Sequence, residues 1–201
     1  MNGSTVFPIS HFWPVAIGFL ALSINYFVQG GAAVAHGPRW SGDEVKWGRT
    51  LGLWGIFLGG VGQLVTGIYL MVGLTWFPVF DNAAPLYMAA VAFSIYGIHW
   101  IVIGARRFLG ADSGPEAWMA IPLFGLSALG MISFFGNGDT PVGILFIGLV
   151  LIYVAEIYTR WTNSESGERW TGYFQLATGA WLFYLAFAVT LNMANGMNWW
   201  V

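Results

Sequence analysis

The apolar residues of this chain gather in six stretches, 12–34, 51–73, 84–104, 118–135, 140–159 and 171–193, separated by shorter polar connections. A helix crosses the hydrocarbon core of a bilayer with about 20 residues, so each stretch predicts one transmembrane helix. The connections are short, and the one at 136–139 is the shortest. Helices joined so tightly are antiparallel neighbours. The pattern therefore predicts an all-α membrane protein, a six-transmembrane-helix bundle forming a single domain over residues 1–201. Six spans use most of the chain and leave no room for a soluble catalytic domain.

The basic residues fix an expected orientation. Arg39, Lys46 and Arg49 fall between the first and second stretches, Arg106 and Arg107 after the third, and Arg160 and Arg169 between the fifth and sixth. The alternate connections and both ends carry no Lys or Arg. Lys and Arg accumulate on the cytoplasmic side of membrane proteins. The expectation is a multi-pass protein of the plasma (inner) membrane with both termini outside the cytoplasm.

Composition narrows the function classes. The chain is 57% hydrophobic and 8% charged, against about 25% charged residues in a soluble domain. The net charge is −2, with no basic patch, which excludes nucleic acid as an expected partner. There is no cysteine, hence no thiolate nucleophile, disulfide or cysteine metal site. The three histidines, His11, His36 and His99, lack metal-ligand spacing. No basic region precedes the first apolar run, so it does not read as a cleaved signal peptide. Neither a metal nor a cofactor is expected.

Tryptophans support the frame. Trp13, Trp40, Trp47, Trp76, Trp118, Trp161, Trp170, Trp199 and Trp200 fall near span ends, as an aromatic belt at headgroup level does. Trp54, Trp100 and Trp181 lie deeper and are expected on packing surfaces.

The polar residues inside the spans are few. Gln63 sits within a glycine-rich run, Gly55, Gly59, Gly60, Gly62 and Gly67. Such glycines let helices approach closely or line a narrow conduit. The Gln63 amide needs a partner in hydrocarbon, on a neighbouring helix or on a polar solute. Tyr96 and His99 are three residues apart on one helix face. His99 lies about 7–8 Å inside the end of its span. An ionisable group at that depth faces the bundle interior or a watery cavity; it serves as a neutral helix-to-helix contact or as a titrating group. Glu156 precedes Arg160 by four residues, the offset of a helical ion pair. That pair is expected to snorkel to the surface, with a proton-linked role as the alternative. Asn25, Tyr26, Gln29, Gln175 and Asn192 read as interhelical hydrogen-bonding groups. No nucleophile–base pair, carboxylate dyad or phosphate loop appears, so no catalytic residue is assigned. Uncharged polar groups, glycine and aromatic side chains instead suit passage of a small solute through hydrophobic constrictions.

The run Gly55-Ile56-Phe57-x-Gly59-Gly60-x-x-Gln63-x-x-x-Gly67 resembles the second-helix signature of the bacterial and fungal acetate uptake family. Tyr96-Gly97 followed by Trp100 is similar to that family's third-helix motif. Gly172, Leu176, Gly179-Ala180, Tyr184-Leu185-Ala186 and Leu191-Asn192 resemble its last helix without a gap, and Phe134-Phe135-Gly136 at the end of the fourth stretch also fits. The resemblance implies a homohexamer in which each protomer passes acetate or a similar monocarboxylate through its own narrow, largely hydrophobic pore. It also implies an aromatic and leucine constriction, carried here by Phe19, Tyr96 and Leu151. The family's N-terminal Asn-Pro-Ala-Pro-Leu-Gly is reduced to Pro14-Val15-Ala16-Ile17-Gly18, and about ten extra residues separate Gln63 from Tyr96. The basic loops are placed opposite to the family's usual arrangement. An N-out arrangement is typical of the acid-gated urea and amide channels, whose Gly-Leu-Thr-Trp and terminal Trp-Val stretches Gly73–Trp76 and Trp200-Val201 faintly resemble. The leading expectation is thus a membrane channel or transporter for a small monocarboxylate, with a small-molecule solute and the lipid bilayer as partners. A urea or short-chain amide channel is the alternative, and a non-transporting accessory subunit of a membrane complex the second.

Overall fold

The structure is a computed structural model that describes residues 9–35, 42–77 and 84–201, with side chains from Val15 and Pro85 onward in the first and last of these. His36, Arg39, Trp40, Pro78 and Asp81 lie outside the described residues, as do the side chains of His11 and Trp13. Six helices follow one another: α1 (Ile9–Val34), α2 (Glu44–Trp76), α3 (Ala84–Leu109), α4 (Glu116–Gly136), α5 (Thr140–Thr162) and α6 (Glu165–Asn195). All six are long and apolar enough to cross a membrane.

The helices outrun the apolar stretches because capping, not hydropathy, sets where a helix ends. Asp43 opens α2 by accepting from the Val45 and Lys46 amides at 3.1 and 3.0 Å. The Lys46 amide is the main reason that its carboxyl is held below the usual range. Asp139 opens α5 on the Val142 amide at 3.1 Å, and burial raises its carboxyl against that bond. Asn163 takes the left-handed conformation (φ 50°) and closes α5. Ser164 then accepts from the Gly167 amide at 3.2 Å and starts α6. The polar run 165–170 is thereby helical, six residues before the hydropathy rises.

Within α2, Gly55–Gly62 forms a π-helical segment between two α-helical ones. π segments are uncommon and concentrate at functional sites. Here Gly59 is buried against Asn25 and Trp100, and its neighbour Gly60 against Ile101. At Gly52 and Gly104 the backbones of α2 and α3 meet: a methyl on either would lie 2.5 Å from the other's carbonyl oxygen. The glycine-rich run thus seats α2 on α1 and α3.

Contacts between helices give the directions of α1–α4 and α6. Phe19 meets Phe93 and Tyr26 meets Trp100, so α1 and α3 run parallel. Gln29 binds the Leu51 carbonyl while Gly18 faces Thr66, so α2 runs against α1. Arg106 meets Glu116 and Tyr96 meets Ser127, so α4 runs against α3. Ser23 donates to the Gly179 carbonyl at 2.8 Å and Gly30 abuts Gly172, so α6 runs against α1.

Burial is inverted relative to a water-soluble protein. Ser23, Asn25 and Ser127 are fully buried, while Phe57, Val65 and Ile132 are 60–65% exposed on the outer faces. Apolar side chains facing outward and polar ones inward is the distribution that lipid imposes. The chain is a multi-pass membrane protein. Trp54 departs from its expected place and is 44% exposed, whereas Trp100 is buried and Trp181 binds the Pro141 carbonyl at 2.9 Å.

Candidate functional site

The ends of α1, α3 and α5 and the starts of α2, α4 and α6 converge on one face of the bundle. Together they line a vestibule of about 840 Å³. Residues adjoining all three basic connections reach it: Glu44 and Trp47 from α2, Arg106 and Arg107 from α3, and Arg160 and Glu165 around the α5–α6 turn. The described residues of the basic connections therefore share one side of the bundle, as their alternation along the chain predicts.

Charges gather at the vestibule wall. Arg106 donates to both oxygens of Glu116, from Nε at 2.5 Å and from a terminal nitrogen at 3.2 Å. Arg160 reaches Glu116 Oε2 at 2.8 Å and Glu156 Oε1 at 3.7 Å. The Glu116 side chain is only 4% exposed. Arg107 donates to the Gln29 amide oxygen. Gln29 in turn donates to the Leu51 carbonyl at 2.9 Å and to Asn25 Oδ1 at 3.3 Å. Local dipoles favour this layout, with arginines in the last turns of α3 and α5 and a carboxylate in the first turn of α4.

Glu156 and Arg160 depart from expectation. They do not form an isolated surface pair; the side chain of Glu156 is 11% exposed, and Arg160 divides itself between Glu156 and Glu116. The reason is that α4 begins beside α5, which brings Glu116, distant in sequence, onto the same guanidinium. Sequence reading missed Glu116 as the hub. A faint signal exists: it follows Arg106 across a connection too short to separate the ends of α3 and α4.

Below the charges lies an aromatic floor of His99, Trp100, Tyr26 and Tyr153. The His99 ring packs edge-on against Trp100 (5.6 Å between centroids) and Tyr153 (5.8 Å). Its Nδ1 lies 3.3 Å from the Met119 sulfur on α4. Tyr153 stacks on Tyr96 at 5.9 Å and 17°. The Ser127 hydroxyl donates to the Leu123 carbonyl at 2.8 Å, so the Tyr96 hydroxyl donates to Ser127, also at 2.8 Å. One step further along the same axis, Phe19 packs on Phe93 at 5.6 Å. From Arg107 to Phe93 this ladder covers about 21 Å along α3 at 1.5 Å per residue.

Of the residues singled out by sequence, the structure brings His99 and Tyr96 together on this ladder, with Phe19 at its far end. Tyr153, which sequence reading passed over, joins them; it lies one turn before Glu156 on the same face of α5. Gln63 is 1% exposed, and its Oε1 has no partner, as is true of Asn25 Nδ2 on the facing side of α1. Leu151 is corrected. It is 40% exposed on the outer face of α5, because the helical phase that buries Leu149, Ile152 and Tyr153 turns it away. A second hollow of about 240 Å³ lies between α1 and α6, lined by Ile17, Leu20, Phe187, other apolar residues and Thr190, with no charged group. Among the described residues, no group of three His, Asp or Glu is placed to hold a metal ion.

No family model matches the sequence, and no curated protein matches it. A solved structure described as that of the bacterial acetate channel SatP is similar in fold, with a TM-score of 0.67 and 20% identity. The match covers 91% of this chain and 94% of that one. The six-helix membrane fold is thus shared with a channel.

Proposed function

We propose that this chain forms a membrane channel passing a small monocarboxylate such as acetate through a narrow, largely hydrophobic path within each protomer. The observation that carries the reading is the axial ladder: a charged vestibule closing onto stacked aromatic rings, in a fold shared with an acetate channel. A bare carboxylate cannot enter such an apolar constriction at tolerable cost. The form that passes is therefore the protonated acid, or an anion held by neutral donors. Asn25 Nδ2 and Gln63 Oε1, buried without partners, offer one donor and one acceptor. A protonated carboxylic acid presents the complementary pair, a carbonyl oxygen and a hydroxyl.

Urea and short amides also present one acceptor and donors, and this same pair is what favours the second reading. Fluxes of acetate, acetamide and urea into liposomes bearing one preparation separate the two. Acetate flux is expected to exceed both amides and to fall about tenfold in Gln63→Leu, a barrier change of about 1.4 kcal/mol. Amide flux above acetate flux overturns the monocarboxylate reading; unchanged flux in Gln63→Leu removes that residue from the path.

The whole chain acts as one domain in this reading and assembles as a homohexamer, a mass readable in detergent. Neither a cofactor nor catalysis enters it. With the basic loops on one face, the vestibule opens to the cytoplasm and both termini lie outside. The protein lacks cysteine, so Ser113→Cys provides a clean probe beside the vestibule. An impermeant thiol reagent is expected to leave it unlabelled in intact cells and to label it in inverted vesicles. Labelling in intact cells reverses the orientation.

A further inference from the structure

The arginines of the vestibule are unevenly partnered. Glu116 holds Arg106 with two hydrogen bonds, and Glu116 and Glu156 share Arg160. This cluster and Arg107 together contain three guanidinium groups against two carboxylates. Arg107 is the group left over. Its hydrogen bond goes to the amide oxygen of Gln29, a neutral acceptor. The Nε of Arg160 is buried and has no partner. Both side chains line the same vestibule. Glu116 and Glu156 act on Arg107 only at a distance, so this half-buried guanidinium has no carboxylate bonded to it directly, in a setting where charge is weakly screened. The planar, forked donor set of arginine matches a carboxylate better than it matches a spherical anion.

Other carboxylates line the vestibule mouth, namely Glu44, Glu165 and Glu168. These sit in the exposed first turns of α2 and α6, where water and salt screen them and the helix N-termini engage them. They do not reach the inner wall, where Gln29 occupies Arg107.

We propose that Arg107, assisted by Arg160 Nε, is a capture site for a small carboxylate anion at the inner wall of the vestibule, above the aromatic floor. The anion takes the place of the Gln29 amide oxygen or shares Arg107 with it. This deepens the monocarboxylate reading and rests on it. The vestibule concentrates the anion, the abundant form at neutral pH, whereas the inner ladder offers neutral groups to the protonated acid.

The test is calorimetric titration of the full-length protein in detergent at pH 7 and constant ionic strength, with sodium acetate, acetamide and sodium phosphate as probes. Acetate is expected to bind, with acetamide about tenfold weaker or less detectable. Hydrogen bonds to charged partners imply a loss of roughly tenfold to a hundredfold in Arg107→Gln. Arg107→Lys, which keeps the charge without the fork, is expected to recover part of that loss and guards against a folding defect. Equal affinity in Arg107→Gln, or equal binding of acetamide, overturns the site; phosphate binding as tightly as acetate overturns its assignment to carboxylates. The two readings fail separately. Arg107-dependent acetate binding without liposome flux leaves the capture site standing and removes transport, and flux without such binding does the reverse.

Discussion

Replacing Tyr96 by Trp is expected to cut acetate flux into liposomes by at least about tenfold, or 1.4 kcal/mol of barrier. Replacing Leu151 by Trp is expected to leave it unchanged. Tyr96 is 3% exposed, stacked face to face on Tyr153 and tied through its hydroxyl to Ser127. It sits where α1, α3, α4 and α5 close on the axis, so added ring volume has nowhere to go except into the path. Leu151 is 40% exposed on the outer face of α5, where a larger apolar side chain meets only more apolar surroundings. Tyr96→Phe separates the ring from the hydroxyl. It retains the stack, loses one hydrogen bond worth about 1 kcal/mol, and is expected to alter flux far less than the Trp variant does. A Tyr96→Trp protein that folds and conducts as well as the parent places the path elsewhere. A flux loss in Leu151→Trp equal to that in Tyr96→Trp restores the leucine to the constriction.

Glu116→Ala is expected to be the most destabilising single change at the vestibule. The carboxylate accepts from Arg106 twice and from Arg160 once, at 2.5, 3.2 and 2.8 Å, with a side chain 4% exposed. Removing one partner of a buried charge network costs about 3–5 kcal/mol, because the opposite charges stay behind uncompensated. Arg106 and Arg160 are 21% and 24% exposed, so water relieves part of that penalty and the lower end, roughly 3 kcal/mol, applies. Thermal unfolding in one detergent reads this as a midpoint lowered by roughly 6–12 °C at this chain length. Glu116→Leu combined with Arg106→Met removes both sides of the tightest pair and is expected to recover much of the loss. A Glu116→Ala midpoint within a degree or two of the parent means that the three groups are solvated and that no network holds this face together.

The aromatic floor explains why the site was only partly legible in the sequence. Tyr96 and His99 announce themselves because they share a helix face three residues apart, and local spacing survives folding. Tyr153 sits among the apolar residues of α5 and gains meaning only when α5 lies beside α3 and the two rings stack. Glu116 reads as an ordinary first-turn acid until α3 and α5 place two guanidinium groups on it. The offset of Glu156 and Arg160 marks them as a pair, yet the pair's burial depends on what α4 brings to it. A motif resemblance points to Leu151, but it does not fix the rotation of α5, and neighbouring residues on a helix face different ways. One step is about 100° of rotation, enough to move a side chain from the axis to the lipid.

Hydropathy and charge along the chain suffice for the number of spans, their alternation and the restriction of basic residues to alternate connections. Those follow from transfer energies and chain length, which are properties of each segment taken alone. The sequence also shows that glycines in α2 permit close helix approach, since a missing side chain is a local fact. Packing between helices sets which face of each points inward, that the glycines of α2 are filled by α1 and α3, and that Arg107 bonds to a neutral amide. These depend on rotation about each helix axis and on partners far away in sequence. Hydropathy carries little of that information when both the lipid and the core are apolar.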